Sequence, residues 1–453
     1  MQFGTDGVRG VALSELTTDF ATRLGRAAAR VLGTDGVTSV VVGGDTREST
    51  EILDRALCVG FAAEGLDVIR LGVAPTPQVA FEAQRRGALG AVVSASHNLW
   101  SDNGIKLFAR GGVKLADEVE RRIEAELATL DATLDATLDT TLEAASSSAD
   151  PTGSVVDASA DHDAYIGHLI AYLDGLRLDG LRIVLDAANG AAHQIGPEAL
   201  RAAGAEVIVV AATPDGRNIN DHCGATAPSL VAAAVVEHGA DVGIALDGDA
   251  DRLIAVDHAG KVVDGDHIIA IIANDLRARG QLRHDTVVVT VMTNLGFRLA
   301  MSNAGIAVVD TAVGDRYVLE ALAGGGFSLG GEQSGHVIFA DHATTGDGIL
   351  SAIALLDAVQ RADRPLADIA AATMTSLPQV LVNVRVAHRM PDAADRLADE
   401  IAAAQLDLGD SGRILVRASG TEPLVRVMVE APTHEQAQQV ADGLAAAAQR
   451  LAT

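Results

Sequence analysis

The chain has 453 residues, 34 Lys+Arg against 61 Asp+Glu, and a formal charge of −27. Hydrophobic residues make up 48% and charged residues 21%, a globular composition that excludes a disordered chain. The acidic excess argues against a nucleic-acid backbone or an anionic membrane as partner, but a local arginine cluster can still hold a small anion.

At roughly 100–200 residues per domain, the length points to three or four domains. The two cysteines, Cys58 and Cys223, form no CxxC, so neither a disulfide framework nor a thiolate zinc site is indicated. A reducing cytoplasm is the expected location. No basic flank precedes an apolar run at the N-terminus, and no apolar run approaches the ~18 residues of a membrane span. Only three lysines occur, Lys106, Lys114 and Lys261, so a lysine inside a motif carries weight.

Strands and helices alternate along the chain. A β-branched run, Ser39 to Val42, ends in Gly43-Gly44-Asp45 and is followed by an amphipathic helix from Ser49 to Glu64. A strand at Val68–Leu71, a helix near Gln78–Arg86 and a strand at Ala91–Ser94 continue the pattern, which reads as βαβ units with a mainly parallel sheet. Asp102-Asn103-Gly104-Ile105-Lys106 reads as a tight turn. From Thr129 to Glu143 leucine recurs every fourth residue, which predicts a surface helix, and Ser/Ala-rich Ala144–Pro151 predicts a linker. A second block has strands at Arg182–Asp186, Glu206–Val210 and Val242–Leu246. A third has helix Asp266–Ala278, strand Thr286–Met292, helix Gly296–Asn303, strand Ile306–Asp310 and helix Asp315–Leu322. The last block differs. Strand Val380–Val386, a helix near Ala393–Ala404, strands Arg413–Arg417 and Val425–Glu430 and helix Glu435–Leu451 predict an α+β domain with an antiparallel sheet. The expected boundaries are 1–155, 156–256, 257–373 and 374–453.

Five segments carry chemistry. Asp247, Asp249 and Asp251 follow an apolar strand in Asp-Gly-Asp-Ala-Asp-Arg, so three carboxylates converge on a turn at a strand's carboxyl end, where oxygen ligands suit a hard cation. An EF-hand is excluded, because its glycine and glutamate positions hold Arg252 and His258. Ser94-Ala95-Ser96-His97-Asn98 ends another strand and offers a serine as nucleophile or phosphate carrier. Arg417-Ala418-Ser419-Gly420-Thr421-Glu422-Pro423 combines a forked cation, hydroxyls and a glycine turn, the needs of a phosphate group. Gly330-Gly331-Glu332-Gln333-Ser334-Gly335-His336 brings a carboxylate, a hydroxyl and an imidazole to one glycine-bracketed loop, suited to sugar hydroxyls or an amine and to proton transfer. Phe3-Gly4-Thr5-Asp6-Gly7-Val8-Arg9-Gly10 sets one arginine among glycines. No GxGxxG leads from a strand into a helix and no GxxxxGK[ST] occurs, so dinucleotide and P-loop binding are unsupported.

These pieces, in this order, resemble the α-D-phosphohexomutase superfamily. The carrying motifs are GTDGVRG (Gly4–Gly10), SASHN (Ser94–Asn98), DNGIK (Asp102–Lys106), DGDADR (Asp247–Arg252), VGDRYV (Val313–Val318), GEQSGH (Gly331–His336), TTGDGI (Thr344–Ile349) and RASGTEP (Arg417–Pro423). The resemblance implies an α/β fold of four domains around a central cleft: three similar mixed α/β sheet domains and a C-terminal α+β domain with an antiparallel sheet. It implies Ser96 as the phosphoserine, and Mg²⁺ held by Asp247, Asp249 and Asp251 with Ser96 as a further ligand, one ion per subunit. Arg9, Lys106, Arg252 and His336 would line the reacting centre, with His336 or Lys106 as proton acceptor. Glu332 and Ser334 would select the sugar, and His97, Gly314 and Asp315 would contact the substrate. Arg417, Ser419, Gly420 and Thr421 would grip the phosphate that does not react. GEQSGH, TTGDGI and GTDGVRG point to the branch acting on glucosamine phosphate, interconverting its 6- and 1-phosphates through a 1,6-bisphosphate for amino-sugar nucleotide and cell-wall precursor synthesis. Glucose or mannose phosphate is the alternative. The partner is a small phosphosugar, and a homodimer is implied. One departure stands out: the family's proline after SASHN is replaced by Leu99-Trp100, which removes a backbone constraint beside the nucleophile.

Overall fold

The computed structural model describes residues 3–4, 6–34, 36–138, 153–158, 162–418 and 423–451, with side chains for all of these except 131–138. The end of the leucine repeat, 139–143, and the linker expected at 144–151 lie outside the described residues. The chain forms two compact units, Met1–Met292 with Ile306–Ala371, and Thr293–Gly305 with Ala372–Thr453.

The first unit carries three sheets. The first comprises β1 (Val8–Val11), β2 (Ser39–Gly44), β3 (Asp67–Val73), β4 (Leu89–Val93), β5 (Asp102–Ala109), β6 (Val113–Lys114) and β7 (Val155–Asp157). Their order is β1-β5-β4-β2-β3-β7, with β6 on β5. Val40, Val41 and Val42 are all fully buried, as in a strand covered on both faces. Val40 and Val42 pack with helices Thr18–Leu32 and Thr50–Ala63, whereas Val41 packs with helix Thr76–Arg86, the alternation of a strand. Thr17 caps the first of these helices by accepting from the Phe20 N–H.

Helices Thr18–Leu32 and Thr50–Ala63 meet backbone to backbone through two glycines. A Cβ on Gly60 would lie 2.1 Å from the Thr22 carbonyl oxygen, and one on Gly25 2.5 Å from that of Leu57. Gly60→Val is therefore expected to push the pair apart and cost about 2 kcal/mol, read as a lower urea midpoint. An unchanged midpoint would show that the contact yields freely.

Asp102–Lys106 is not a turn. It opens strand β5, paired antiparallel with both β1 and β4. The Asn-Gly doublet serves close approach instead, since a Cβ on Gly104 would meet the Ser94 carbonyl oxygen at 2.6 Å.

The second sheet, β8 (Arg182–Asp186), β9 (Glu206–Val210), β10 (Val242–Leu246), β11 (Leu253–Asp257) and β12 (Val262–Val263), has the order β12-β11-β10-β8-β9. The third, β13 (Thr286–Thr290), β14 (Ala307–Thr311), β15 (Leu329–Gly331) and β16 (Val337–Phe339), runs β14-β13-β15-β16. All three sheets share one device. A strand of the parallel core (β4, β10, β15) turns back into an antiparallel partner (β5, β11, β16). The connecting loops are 94–101, 247–252 and 332–336, so each motif loop is anchored at both ends by a paired strand.

The second unit has β17 (Gln379–Arg385), β18 (Arg413–Ala418) and β19 (Leu424–Glu430), all antiparallel in the order β17-β19-β18. Helix His434–Leu451 packs on this sheet through Ala437, Ala441, Leu444 and Ala448. Helix Leu295–Asn303 belongs here too. The Asn294 side chain caps it at Gly296 and exchanges hydrogen bonds of 3.0 Å with both Leu377 backbone groups. The single helix expected near Ala393–Ala404 is broken at buried Leu397 into Ala393–Arg396 and Ala398–Leu408.

Candidate active site

Ser96 lies in the β4–β5 loop, 1% exposed, with φ of +52°. A left-handed serine costs roughly 1–2 kcal/mol, so the surroundings must hold it. Its N–H donates to Ser94 Oγ at 2.9 Å, and its own Oγ donates to Asp247 Oδ2 at 2.7 Å. The nucleophile loop and the acidic loop are thus in direct contact, although 151 positions separate the two residues. Gly248 permits this, because a Cβ there would meet the Ser96 carbonyl oxygen at 2.6 Å.

Asp247, Asp249 and Asp251 are buried, and one oxygen from each lies within 4.8 Å of the others. Among the described residues, Asp249 Oδ1 and Asp251 Oδ1 have no hydrogen-bond partner although both are buried. An orphaned buried carboxylate oxygen is costly, and two beside each other match the oxygen ligands of a hard cation. Burial, with Asp251 and Asp249 beside it, pushes Asp247 well above the usual carboxylate range. Lys106 Nζ sits 2.8 Å from Asp249, 3.0 Å from Asp251 and 2.8 Å from Asp6. Burial alone would lower its pKa, but the aspartates raise it well above the ordinary value. Asp251 shows the converse: burial is outweighed by Lys106 and His336, and its pKa falls well below the usual range.

Beside the triad is a cavity of about 470 Å³, with Arg9, His97, Arg252, Gly314, Asp315, Glu332 and His336 on its wall. Glu332 accepts from the Gly314 N–H at 3.1 Å, which orients the carboxylate. His336 Nε2 accepts from the Gly346 N–H at 3.2 Å, so the ring proton sits on Nδ1, 3.6 Å from Asp251 Oδ1. Burial would lower the His336 pKa, but Asp251, Asp315 and Glu332 raise it overall. His97 goes the other way: burial, Arg252 and Arg9 pull it down to about 4. Neutral at pH 7, it accepts from Arg252 Nη1 at 3.1 Å. Arg9 and Arg252 place two guanidinium groups on a wall that also carries Asp6, Asp251, Asp315 and Glu332, so a phosphate would be met by individual cations rather than by a net positive surface.

The structure brings Ser96, Arg9, His97, Lys106, the three aspartates, Arg252, Gly314, Asp315, Glu332 and His336 together. It does not bring Ser334 onto the cavity wall, and that residue is exposed. In the second unit, Arg417 on β18 stands directly across from Arg426 on β19. Burial and Arg426 lower its pKa. Like charges placed opposite each other destabilise a sheet, and an anion between them relieves that. Ser419, Gly420 and Thr421 lie outside the described residues.

Four family descriptions match the chain in order: phosphoglucomutase/phosphomannomutase α/β/α domain I at residues 1–133, domain II at 163–260, domain III at 264–377 and the C-terminal domain at 381–447. A phosphoglucosamine mutase of Streptomyces coelicolor is 54% identical over 98% of this chain and 97% of its own length. One from Thermobifida fusca is 53% identical over the same shares. The chain belongs to the phosphoglucosamine mutases. It is an isomerase, an intramolecular phosphotransferase of the phosphohexomutase superfamily. Among solved structures, a Burkholderia thailandensis phosphoglucomutase/phosphomannomutase family protein superposes with a TM-score of 0.81 at 25% identity, over 99% of this chain and 98% of that one. The Aspergillus fumigatus N-acetylphosphoglucosamine mutase, in complex with GlcNAc-6P and magnesium, shares the fold at a TM-score of 0.70 and 20% identity, over 100% of this chain and 96% of that one.

Two residues of this mutase's site were not assigned from the sequence. Asp6 joins Lys106 to Lys114, at 2.8 and 3.2 Å. Lys114 in turn holds both Asp315 oxygens, at 2.5 and 2.6 Å. Ion pairs therefore run unbroken from the acidic triad to the far wall of the cavity. Lysine scarcity was the available signal for Lys114, and the GTDGVRG motif for Asp6.

Proposed function

We propose that Ser96 carries the phosphoryl group that this mutase moves between O6 and O1 of glucosamine phosphate. The observation that carries the reading is Ser96 Oγ, 2.7 Å from Asp247, where the acidic triad meets the cavity that Arg9 and Arg252 line. In the first half-reaction the bond from phosphorus to Ser96 Oγ breaks. A new bond forms to O1 of glucosamine 6-phosphate, and the O1 proton passes to His336, since the three aspartates around Lys106 hold it as an ammonium with no lone pair to accept it. The 1,6-bisphosphate then turns over, the bond from its 6-phosphorus to O6 breaks as one to Ser96 Oγ re-forms, and the proton taken up in the first half returns to O6, releasing glucosamine 1-phosphate.

Such transfers need charge neutralisation and in-line positioning more than covalent chemistry. Arg252, Lys106 and Arg9 neutralise charge around the transferring group, and the three aspartates with Ser96 would hold Mg²⁺, which when bound adds positive charge there. Glu332 and Asp315 read the sugar. Arg417, Ser419, Gly420 and Thr421 hold the phosphate that does not react, and Arg426 joins them. Both cysteines are free and buried, which fits a reducing cytoplasm. The chain divides into four domains, 1–155, 156–256, 257–373 and 374–453.

The test is mutase activity with Mg²⁺ and a trace of hexose 1,6-bisphosphate on glucosamine, glucose and mannose 6-phosphates in parallel. A preference of about 100-fold in kcat/KM for the amino sugar is expected. Equal or better turnover of glucose or mannose phosphate would overturn the substrate assignment while leaving the chemistry.

A further inference from the structure

The nucleophile loop lacks the proline that would stiffen it, and its serine holds a left-handed backbone. Something else fixes it. Arg47, from the segment following β2, is fully buried and aims its guanidinium into the loop. Nη2 donates to the carbonyls of Ser96 and Asn98, at 3.0 and 2.9 Å. Nη1 donates to the carbonyls of Leu99 and Asp102, the latter at 3.1 Å. Nε is paired with Asp45 Oδ2 at 2.8 Å. One side chain thus ties down four carbonyls of the Ser96 to Asp102 turn, a task only a rigid fork can perform.

Asp45 fixes Arg47 in turn. Its Oδ1 accepts from the Arg47 N–H and from Thr50 Oγ1, at 3.1 and 2.8 Å. Its Oδ2 accepts from Ser94 Oγ at 2.6 Å, the same hydroxyl that receives the Ser96 N–H. From the second sheet's side, Asn220 Nδ2 donates to the carbonyls of Ser96 and Asn98, both at 2.9 Å. Both backbone groups of Ser96 are therefore held, by three side chains from outside its own turn or at its entry: Ser94, Arg47 and Asn220.

We propose that Arg47 and Asn220 are positioning residues for phosphoryl transfer, clamping the loop carbonyls so that Ser96 Oγ stays aimed at the acidic triad. Neither touches the cavity; both act through the backbone of Ser96. The inference rests on Ser96 being the phosphoryl carrier.

The loop contains its own reporter. Trp100, the sole tryptophan, stacks under the Arg217 guanidinium at 4.9 Å. Two variants test the clamp. Arg47→Lys keeps the charge opposite Asp45 but loses the fork. Asn220→Gly loses both hydrogen bonds, and glycine accepts the φ of +58° at that position, so the fold is spared. A misplacement of about 1 Å can cost ~100-fold in rate. Arg47→Lys is therefore expected to lower kcat about 100-fold and Asn220→Gly about 10-fold, each with KM within about threefold of the parent. Acrylamide should quench Trp100 more readily in both. If kcat of folded Asn220→Gly stays within about threefold of the parent, or falls with Trp100 quenching unchanged, the clamp is overturned. Arg47→Lys, if it folds, must agree. Ser96→Ala separates the two readings: turnover in that variant would sink the carrier assignment, while the quenching comparison would still report on the loop.

Discussion

Ser96→Ala is expected to abolish mutase turnover, by roughly three orders of magnitude or more, with the fold intact. The argument is local. The Ser96 side chain donates its one hydrogen bond to Asp247, where the acidic loop and the nucleophile loop touch. Removing Oγ deletes the acceptor for the phosphoryl group but leaves the backbone bonds from Ser94, Arg47 and Asn220 in place. Circular dichroism and the unfolding midpoint should match the parent. Substrate should still bind, because Arg9, Arg252 and Glu332 are untouched. Appreciable turnover by a well-folded Ser96→Ala protein would require another carrier.

Lys106→Met is expected to have the second large effect, and its size depends on magnesium. Lys106 is buried and is the shared cation of Asp6, Asp249 and Asp251. Breaking a buried ion pair from one side costs about 3–5 kcal/mol, because the remaining charge is left uncompensated. In EDTA the variant should therefore unfold at a midpoint about 10 °C below the parent, at roughly 2–4 °C per kcal/mol. Mg²⁺ should restore much of that loss, and half-maximal stabilisation should need less Mg²⁺ than in the parent, since the competing ammonium is gone. Turnover should still fall about 100-fold, as expected for a lost donor at a centre of developing charge. Equal midpoints in EDTA, or no recovery with Mg²⁺, would contradict the picture of Lys106 sharing the triad's oxygens.

The site was more legible in the sequence than the fold that builds it. The three motif loops stand out by their polar and glycine residues, and all three sit at carboxyl ends of parallel strands, a place expected from the sequence for the Ser96 and Asp247 loops but not for the Glu332 loop. Their return strands did not stand out. β5 opens with Asp-Asn-Gly, a turn signal locally, and only its pairing with β1 and β4 makes it a strand. β16 has three residues, too few to show alternation. Helix Gly348–Ala362 was missed for the opposite reason: residues 348 to 359 are all buried, so there is no polar face to give a helical period. The chain of ion pairs from Lys106 through Asp6 and Lys114 to Asp315 was illegible because its members come from four separate elements. The clamp at Arg47 was illegible too, since its partners are carbonyl groups, which leave no mark on the sequence.

The most direct test of the central claim follows the phosphoryl group itself. The protein is incubated with Mg²⁺ and hexose 1,6-bisphosphate carrying a radioactive phosphorus, digested, and the labelled peptide sequenced, with a parallel sample chased with unlabelled glucosamine 6-phosphate before digestion. The account predicts one labelled peptide, the label on Ser96, and its discharge into sugar phosphate within the time of a turnover. Label on any other residue, or label on Ser96 that the substrate fails to remove, would contradict it.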